Sequence, residues 1–220
     1  MLKAIIFDFD GTIIDTETAW YEAFRDAYRE HNVDLTVELY SGCIGTSLHT
    51  FNPYEYLVTE LKLPVNLDTL RTSVRAQHTA LMEKEILRPG VLDYLKAAKE
   101  AGLRIGLASS SSREWIDRYL SRLDIADYFE CIRTADDVEK VKPDPELYLQ
   151  TLACLGVAPH EAVAIEDSPN GARAAAAAGM YSVVIPNRIT SLLEFEPCNY
   201  RLDSLSDLDF RHLVTNPQGS

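Results

Sequence analysis

The sequence predicts an α/β protein with one parallel sheet and an inserted helical domain. Short apolar runs, which suit strands buried within a parallel sheet, alternate with helical patterns of about ten residues. Turn signals separate the two kinds of segment, as at Ala101-Gly102. The stretch between the first two runs breaks this alternation, because it is helical in character throughout. These three observations define the fold class.

Strands and helices follow one another in a regular order. Six runs are predicted as strands: Lys3–Phe7, Leu103–Ala108, Phe129–Arg133, Ala162–Ile165, Tyr181–Ile185 and Asn199–Leu202, the last the weakest. Four helical patterns lie between them: Val91–Glu100, Arg113–Leu123, Pro145–Leu155 and Pro169–Ala178. Such alternation implies right-handed βαβ units, and therefore an open, Rossmann-like sheet with helices on both faces.

The inserted segment begins near Thr16 and ends near Glu85. Its amphipathic stretches are 17–30, 53–61 and 67–82. We expect a catalytic core formed by residues 1–15 and 87–220, and a helical cap formed by residues 16–86. The hinges between them are predicted near 13–16 and 86–89.

Composition and charge restrict the function. The chain of 220 residues is 46% hydrophobic and carries a formal net charge of -13. A surface this acidic repels nucleic-acid backbones and anionic lipids, so neither partner is expected. No apolar run approaches the roughly 20 residues that span a bilayer. We expect a cytoplasmic monomer, in which any anionic ligand meets positive charge concentrated locally.

The cysteines and histidines indicate no metal site. Four cysteines are scattered without a CxxC pair, at Cys43, Cys131, Cys154 and Cys198. This spacing argues against a zinc site or a disulfide framework, so unpaired thiols are expected. The five histidines have no metal spacing and are expected at the surface or at helix ends.

Two carboxylates end the first predicted strand. Asp8 and Asp10 belong to the segment Asp8-Phe9-Asp10-Gly11-Thr12. In an extended chain, residues i and i+2 point to the same side about 6–7 Å apart, so both face one pocket at the ligand-binding edge of the sheet. Gly11 permits a close backbone approach, and the loop N–H groups can bind an anion. The alternative is a simple turn rich in Asp and Gly.

Other strand ends add matching groups. Ser109, the first of four serines after the second strand, suits contact with an oxyanion, whereas Ser111 and Ser112 suit helix capping. Lys142 precedes a helix begun by Pro145 and can deliver a point charge to phosphate, although a solvated lysine is about equally favoured. Lys140 is expected at the surface.

A second acidic pair follows the fourth predicted strand. Glu166 and Asp167 could be acidic residues that favour the helix dipole. Together with Asp8 and Asp10 they make the oxygen-rich cluster that Mg²⁺ requires. The sequence therefore predicts a magnesium site.

Four motifs carry a resemblance to a known family. They are DFDGTIIDTE at 8–17, LASSSS at 107–112, KPDP at 142–145 and IEDSPNGARAAAAAGM at 165–180. With these motifs in this order, the chain resembles the haloacid dehalogenase (HAD-like) superfamily, and specifically its β-phosphoglucomutase-like branch. The resemblance covers essentially the whole chain. It implies a Mg²⁺-dependent phosphatase that hydrolyses a small phosphorylated metabolite, such as a sugar phosphate, through an aspartyl-phosphate.

The resemblance also implies residue roles. Asp8 would be the nucleophile and a metal ligand, and Asp10 the general acid/base, with its carbonyl on the metal. Asp167 would bind Mg²⁺ directly, while Glu166 would support the metal through water or orient Lys142. The phosphoryl group would be held by Ser109, Ser110, Lys142, Gly11 and Thr12. Specificity would lie with Glu17, Gly45 and Thr46. For Glu17, the equally favoured alternative is an acidic residue that stabilises the helix start through the helix dipole.

Two alternatives use similar groups. A sugar phosphomutase would form the same phosphoenzyme, but the mutases that the chain resembles have a His and a Lys where Trp20 and Ile44 stand here. Neither Trp20 nor Ile44 supplies a cation, which favours a hydrolase. A receiver-like switch phosphorylated on Asp8 is disfavoured, because receivers have no helical insertion after the first strand.

Overall fold

The chain forms two compact units. The computed structural model describes residues 1–44 and 51–219. The first unit comprises Met1–Ile14, Ile86–Asn187 and Glu194–Ser220; the second comprises Asp15–Glu85 and Arg188–Leu193. The predicted cap, residues 16–86, did not include Arg188–Leu193, the short segment after the fifth strand that belongs to the second unit.

The first unit is built on the predicted parallel sheet. Its strands are β1 (Ala4–Phe7), β2 (Arg104–Ala108), β3 (Cys131–Arg133), β4 (Ala162–Glu166), β5 (Tyr181–Val184) and β6 (Tyr200–Arg201). Their order is β3-β2-β1-β4-β5-β6, and all pairings are parallel. The predicted α/β fold is confirmed, because each apolar run forms a strand and β1 lies inside the sheet.

Strand register brings the predicted site residues to one edge. Phe7, the last residue of β1, pairs with Leu107 of β2 and with Ile165 of β4. Since the three strands are parallel, the residues that follow these pairs emerge at the same end of the sheet. This end is where open α/β sheets bind ligands.

Helices cover the sheet. The helices of the first unit are α5 (Val91–Glu100), α6 (Arg113–Arg122), α7 (Glu146–Leu155), α8 (Pro169–Ala177) and α9 (Phe210–Thr215). Ala4 and Ile6 share a buried cluster with Leu147 of α7 and Ala174 of α8. All four residues of β1 are fully buried, so both faces of this strand are covered.

The second unit is helical. Its helices are α1 (Thr16–Arg29), α2 (Val37–Ser41), α3 (Tyr56–Thr59) and α4 (Leu67–Met82). Asp15, Thr36 and Asn66 cap α1, α2 and α4 by accepting backbone N–H groups. The sequence pattern did not predict α2, and α3 is shorter than its predicted stretch. Aromatic residues of α1, including Phe24 and Tyr28, pack in the core of this unit.

Two expectations about single residue types were wrong. Cys131 of β3 and Cys154 of α7 form a disulfide, with their Cα atoms 6.3 Å apart, because α7 packs beside β3. His78 is buried, with 3% of its surface exposed, because α4 turns it towards α1. In the described part of the chain, no helix has both the length and the apolar character needed to cross a bilayer.

Candidate active site

The predicted site residues of the first unit meet at the carboxyl edge of the sheet. Asp8 follows β1, Ser109 follows β2, and Glu166 ends β4 with Asp167 next to it. All four are buried, with exposed fractions of 7% for Asp8, 0% for Ser109 and Glu166, and 2% for Asp167. Lys142 reaches the same edge from the loop before α7. Polar groups buried this deeply need hydrogen-bond or charged partners.

Lys142 joins two of the carboxylates. Its Nζ donates to Oδ1 of Asp8 and to Oε1 of Glu166, at 2.6 Å in each case. The side chain of Lys142 is only 5% exposed, so it is not a solvated lysine. Burial alone would lower the pKa of Lys142, but the charges of Asp8 and Glu166 and the hydrogen bonds to them together outweigh burial and raise it. The ammonium is therefore a fixed positive charge beside Asp8.

Tyr148 supports this pair from α7. Its hydroxyl donates to Oε1 of Glu166 at 2.6 Å, and its ring centroid lies 4.8 Å from Nζ of Lys142. Burial, and then the nearby charge of Glu166, raise the pKa of Tyr148 well above its usual value. Tyr148 thus remains a neutral donor that orients Glu166.

Asp167 is held by the loop that follows β5. Nδ2 of Asn187 donates to Oδ2 of Asp167 at 2.8 Å, and Asn187 is buried. Arg88 binds nearby loops, since its guanidinium donates to the carbonyl oxygens of Gly11, Ile185 and Pro186. These contacts tie the loop after β1 to the loop after β5.

Three carboxylates could hold a metal. Ligand oxygens of Asp8, Glu166 and Asp167 all lie within 4.8 Å of one another. Lys142 offsets one of these three negative charges. The remaining two balance the charge of a divalent cation that prefers oxygen ligands, such as Mg²⁺. The side chain of Asp10 is not part of this cluster. The donor set therefore fits the predicted metal.

Two glycines make room for these carboxylates. Gly11 has a φ of +81°, and a Cβ there would lie 2.1 Å from Oδ2 of Asp167. A Cβ at Gly171 would lie 1.9 Å from the carboxyl carbon of Glu166. No Cβ atom can lie this close to a carboxylate, so only glycine lets the backbone approach the carboxylates at these two positions.

Asp10 points to the serines after β2. Its Oδ2 accepts from Oγ of Ser111 at 2.6 Å and from Oγ of Ser109 at 3.4 Å, and its Oδ1 accepts from Nε1 of Trp115 at 2.9 Å. Burial raises the pKa of Asp10 to about 6, and the charge of Asp8 adds to this, while the bonds from Ser111 and Trp115 oppose it. Such a pKa suits a group that gives and takes protons near neutral pH.

The four serines differ in their contacts. Ser112 caps α6 as predicted, since it accepts from the N–H of Trp115 at 3.4 Å. Ser111 was expected to be only a helix cap, but its hydroxyl donates to Asp10. The two residues meet because β2 lies next to β1, so the segments that follow these parallel strands are neighbours. Ser109 is buried and accepts the N–H of Ser111 at 3.0 Å, while Ser110 is exposed.

The loop after β1 uses its own amides internally. The N–H of Gly11 donates to the carbonyl of Ile14, and the N–H of Thr12 donates to the carbonyl of Phe9. Oγ1 of Thr12 is buried with no hydrogen-bond partner among the described residues. The segment after β1 is therefore a hydrogen-bonded turn, the alternative that the sequence left open, and this turn also carries Asp8 and Asp10.

The predicted specificity residues belong to the second unit or fall outside the description. Glu17 lies in the first turn of α1. Burial raises the pKa of Cys43, and the charge of Glu17 adds to this rise. Gly45 and Thr46 lie outside the described residues. Trp20 stacks on His78 with a centroid separation of 3.6 Å. Burial lowers the pKa of His78 to about 4, so its ring is neutral at pH 7.

Sequence reasoning missed several members of the site. They are Arg88, Ser111, Trp115, Tyr148 and Asn187. Asn187 could have been found, because it stands three residues after the last residue of β5, at the same edge of the sheet. Tyr148 and Trp115 gave no such signal, since an aromatic residue in a helix usually belongs to the core.

Comparisons with known proteins identify the family. Residues 5–185 match the family model described as haloacid dehalogenase-like hydrolase. YhcW of Bacillus subtilis (strain 168), a candidate phosphatase, is 46% identical over 214 residues, which cover 97% of each protein. Hexitol phosphatase B of Escherichia coli (strain K12) is 32% identical over 216 residues, again covering 97% of each.

A solved structure agrees with these relatives. The crystal structure of β-phosphoglucomutase from Clostridium difficile has a TM-score of 0.68 and 27% identity, and the match covers 98% of this chain and 97% of that one. The family model, the sequence relatives and the solved structure therefore point to the same family. The chain therefore belongs to the haloacid dehalogenase-like hydrolases, in their β-phosphoglucomutase-like branch.

Proposed function

We propose that this protein is a Mg²⁺-dependent phosphatase that hydrolyses a small phosphorylated sugar or polyol through an aspartyl-phosphate on Asp8. The observation that carries the proposal is the environment of Asp8. This carboxylate touches Lys142 at 2.6 Å and shares a buried cluster with Asp167 and Glu166. The second carboxylate, Asp10, lies two residues away but has separate partners, so the two can do different work.

The first half-reaction transfers the phosphoryl group to the protein. A carboxylate oxygen of Asp8 attacks phosphorus, and the bond from phosphorus to the ester oxygen breaks. Mg²⁺ held by Asp8 and Asp167, with Glu166 beside them, would offset the charge of the phosphate dianion. Lys142 neutralises further charge, and the buried Ser109 is placed to donate to a phosphoryl oxygen. Asp10 gives its proton to the departing alkoxide, which is otherwise a poor leaving group.

The second half-reaction releases phosphate. Asp10, now a carboxylate, takes a proton from water as the water oxygen attacks phosphorus. The bond from phosphorus to Asp8 breaks, and Asp10 returns to its protonated form. Its pKa of about 6 supports both roles, because neither protonation state is strongly disfavoured near neutral pH.

A relative supports the proposed substrate class, and the two compact units support a division into core and cap. Hexitol phosphatase B supports a phosphorylated polyol or sugar as the substrate. We propose residues 1–15 and 87–220 as the catalytic core, and residues 16–86 as the cap that selects the leaving group, with Glu17, Gly45 and Thr46 among its specificity residues. The compactness of the two units supports this division.

A hydrolase is favoured over a sugar phosphomutase. Trp20 stands where the related mutases have a histidine. The histidine that stacks on it, His78, is neutral at pH 7 because burial lowers its pKa to about 4. Neither ring supplies the cation that would help hold a sugar bisphosphate.

A substrate panel tests the proposal. Purified protein is assayed for phosphate release from phosphorylated hexoses, pentoses and hexitols, with Mg²⁺ and with chelator. We expect Mg²⁺-dependent release from at least one sugar or polyol phosphate. In a second assay the protein receives β-glucose 1-phosphate and a bisphosphate primer. Glucose 6-phosphate forming faster than phosphate is released would establish the mutase instead.

A further inference from the structure

Trp115 makes a specific polar contact with the proposed acid/base. Its indole Nε1 donates to Oδ1 of Asp10 at 2.9 Å, across 105 residues of sequence. The other carboxylate oxygen, Oδ2, accepts from Ser111 and Ser109. The two oxygens of Asp10 therefore have different kinds of partner.

The difference lies in what each partner can do. An indole N–H donates a hydrogen bond and has no acceptor, so Oδ1 is committed as the acceptor of Trp115. A serine hydroxyl both donates and accepts, so the partners of Oδ2 adapt when Asp10 changes between acid and base. Oδ2 is also the oxygen nearer to Ser109, the proposed phosphate contact.

The indole itself is held in place by its helix. Trp115 lies in the first turn of α6, next to the capped start at Ser112. Its ring packs on Tyr119, one turn further along, with a centroid separation of 4.5 Å. Tyr119 is buried, so the position of the indole is set by packing as well as by the polar contact.

We propose that Trp115 is a positioning residue, which holds Oδ1 of Asp10 and thereby presents Oδ2 for proton transfer at the ester oxygen. The inference rests on the proposed function of Asp10 as acid and base. Trp115 does not touch the reacting atoms in this scheme; it acts through the orientation of the Asp10 carboxyl group. A misoriented acid delivers its proton poorly, and this matters most for a leaving group that needs protonation.

The test compares two leaving groups in the first half-reaction. Phenol release from phenyl phosphate and 4-nitrophenol release from 4-nitrophenyl phosphate are followed by rapid quench in the presence of Mg²⁺. In Trp115→Phe the ring remains and the N–H is lost. We expect phenol release to slow by about tenfold and 4-nitrophenol release by less than about threefold. Equal slowing with both substrates would mean that Trp115 only supports packing, and would overturn the inference.

Controls separate this inference from the proposed function. Asp10→Asn should show a larger difference between the two substrates. If Asp10→Asn shows none, the acid role of Asp10 fails, and the inference fails with it. If Asp10→Asn shows the difference and Trp115→Phe does not, only the inference fails. Tyr119→Phe, a change in the neighbouring ring, should leave the ratio of the two release rates unchanged. If Tyr119→Phe changed this ratio as much as Trp115→Phe does, the inference would also be overturned.

A second variant covers a failure of Trp115→Phe to fold. Incorporating benzothienylalanine at position 115 keeps the two fused rings that pack on Tyr119 but replaces the N–H with sulfur. Circular dichroism shows whether each variant is folded. We again expect phenol release to slow more than 4-nitrophenol release. Equal slowing of the two release rates would overturn the inference here as well.

Discussion

Nδ2 of Asn187 lies 2.8 Å from Oδ2 of Asp167 and donates a hydrogen bond to it. This bond leaves Asp167 with a fixed orientation inside the carboxylate cluster. Partners that hold a metal ligand in this way commonly contribute about 10- to 100-fold to metal affinity. The amide therefore matters for metal binding even though it is not among the proposed ligands.

Asn187→Ala should weaken Mg²⁺ binding by about tenfold, because the carboxylate of Asp167 loses the donor that orients it. Isothermal titration of metal-free protein with Mg²⁺ measures this without any substrate. Gln150→Ala is the control, since that amide contacts Asp137 and Glu146, which are not members of the cluster. Unchanged Mg²⁺ affinity in Asn187→Ala would contradict the role given to Asn187.

Asp8→Asn should reduce turnover of 4-nitrophenyl phosphate to below about a thousandth of the wild-type rate while the protein stays folded. An amide has nearly the same shape as the carboxylate but is neither anionic nor nucleophilic. Steady-state assays measure the loss, and circular dichroism checks the fold. Activity that survives within about tenfold of wild type would show that another group is the nucleophile.

Lys142→Met should lower the free energy of unfolding by about 3 kcal/mol, because it leaves Asp8 and Glu166 buried without their cation. Urea unfolding in the presence of chelator measures this difference. The double variant Lys142→Met with Glu166→Gln should lose less than the single variant, since one uncompensated charge is also removed. If the loss in the double variant equals the sum of the losses in Lys142→Met and Glu166→Gln, the 2.6 Å contact between Lys142 and Glu166 is energetically unimportant.

Lowering the pH from 7 to 4 should destabilise the second unit through His78. Its pKa falls from 6.5 to about 4 on folding, because burial disfavours the charged ring. Between these values the unfolded chain binds more protons, so stability decreases as the pH falls through this range. His78→Phe keeps a flat ring against Trp20 and should remove up to about 2 kcal/mol of this dependence.

Trp20 fluorescence reports the effect on the second unit when Trp115 is replaced by Phe, since the chain has two tryptophans. Urea unfolding is followed at several pH values in proteins with and without His78→Phe. Identical pH dependence in the two proteins would show that His78 is not responsible.

Phosphatase activity should require Mg²⁺ and should be inhibited by Ca²⁺. The cluster of Asp8, Glu166 and Asp167 is compact, with ligand oxygens within 4.8 Å of one another. Ca²⁺ takes more ligands at longer distances, so it should bind without the in-line geometry that phosphoryl transfer needs. Activity is measured after removal of metal and then with each ion added. Full activity in metal-free buffer would exclude the proposed site.

The sequence alone determined the framework of the site. Apolar runs that end in Asp8, Ser109 and Glu166 predict buried strands, and parallel strands bring their carboxyl ends to one edge. Both facts are local or depend on general rules of sheet geometry. The sequence predicted the shared edge but not the strand order, and these residues lie close together because β1 stands between β2 and β4.

The partners of those residues were decided by the tertiary structure. Trp115 and Ser111 meet Asp10 across about a hundred residues, and Tyr148 meets Glu166 from the buried face of α7. Which way a helix turns its aromatic residue depends on packing, and composition and periodicity do not reveal it. The same applies to Lys142, whose sequence context was equally typical of a surface lysine.

The cysteines and His78 show the same division. The spacing of Cys131 and Cys154 resembles no disulfide motif, and their pairing arises only because α7 packs beside β3. His78 has no partner signal in the sequence, yet the contact of α4 with α1 buries it against Trp20. Local sequence determined which groups stand at the strand ends, because backbone pattern is local. Tertiary packing decided their charges, partners and orientation, because burial and distance depend on segments far apart in the chain.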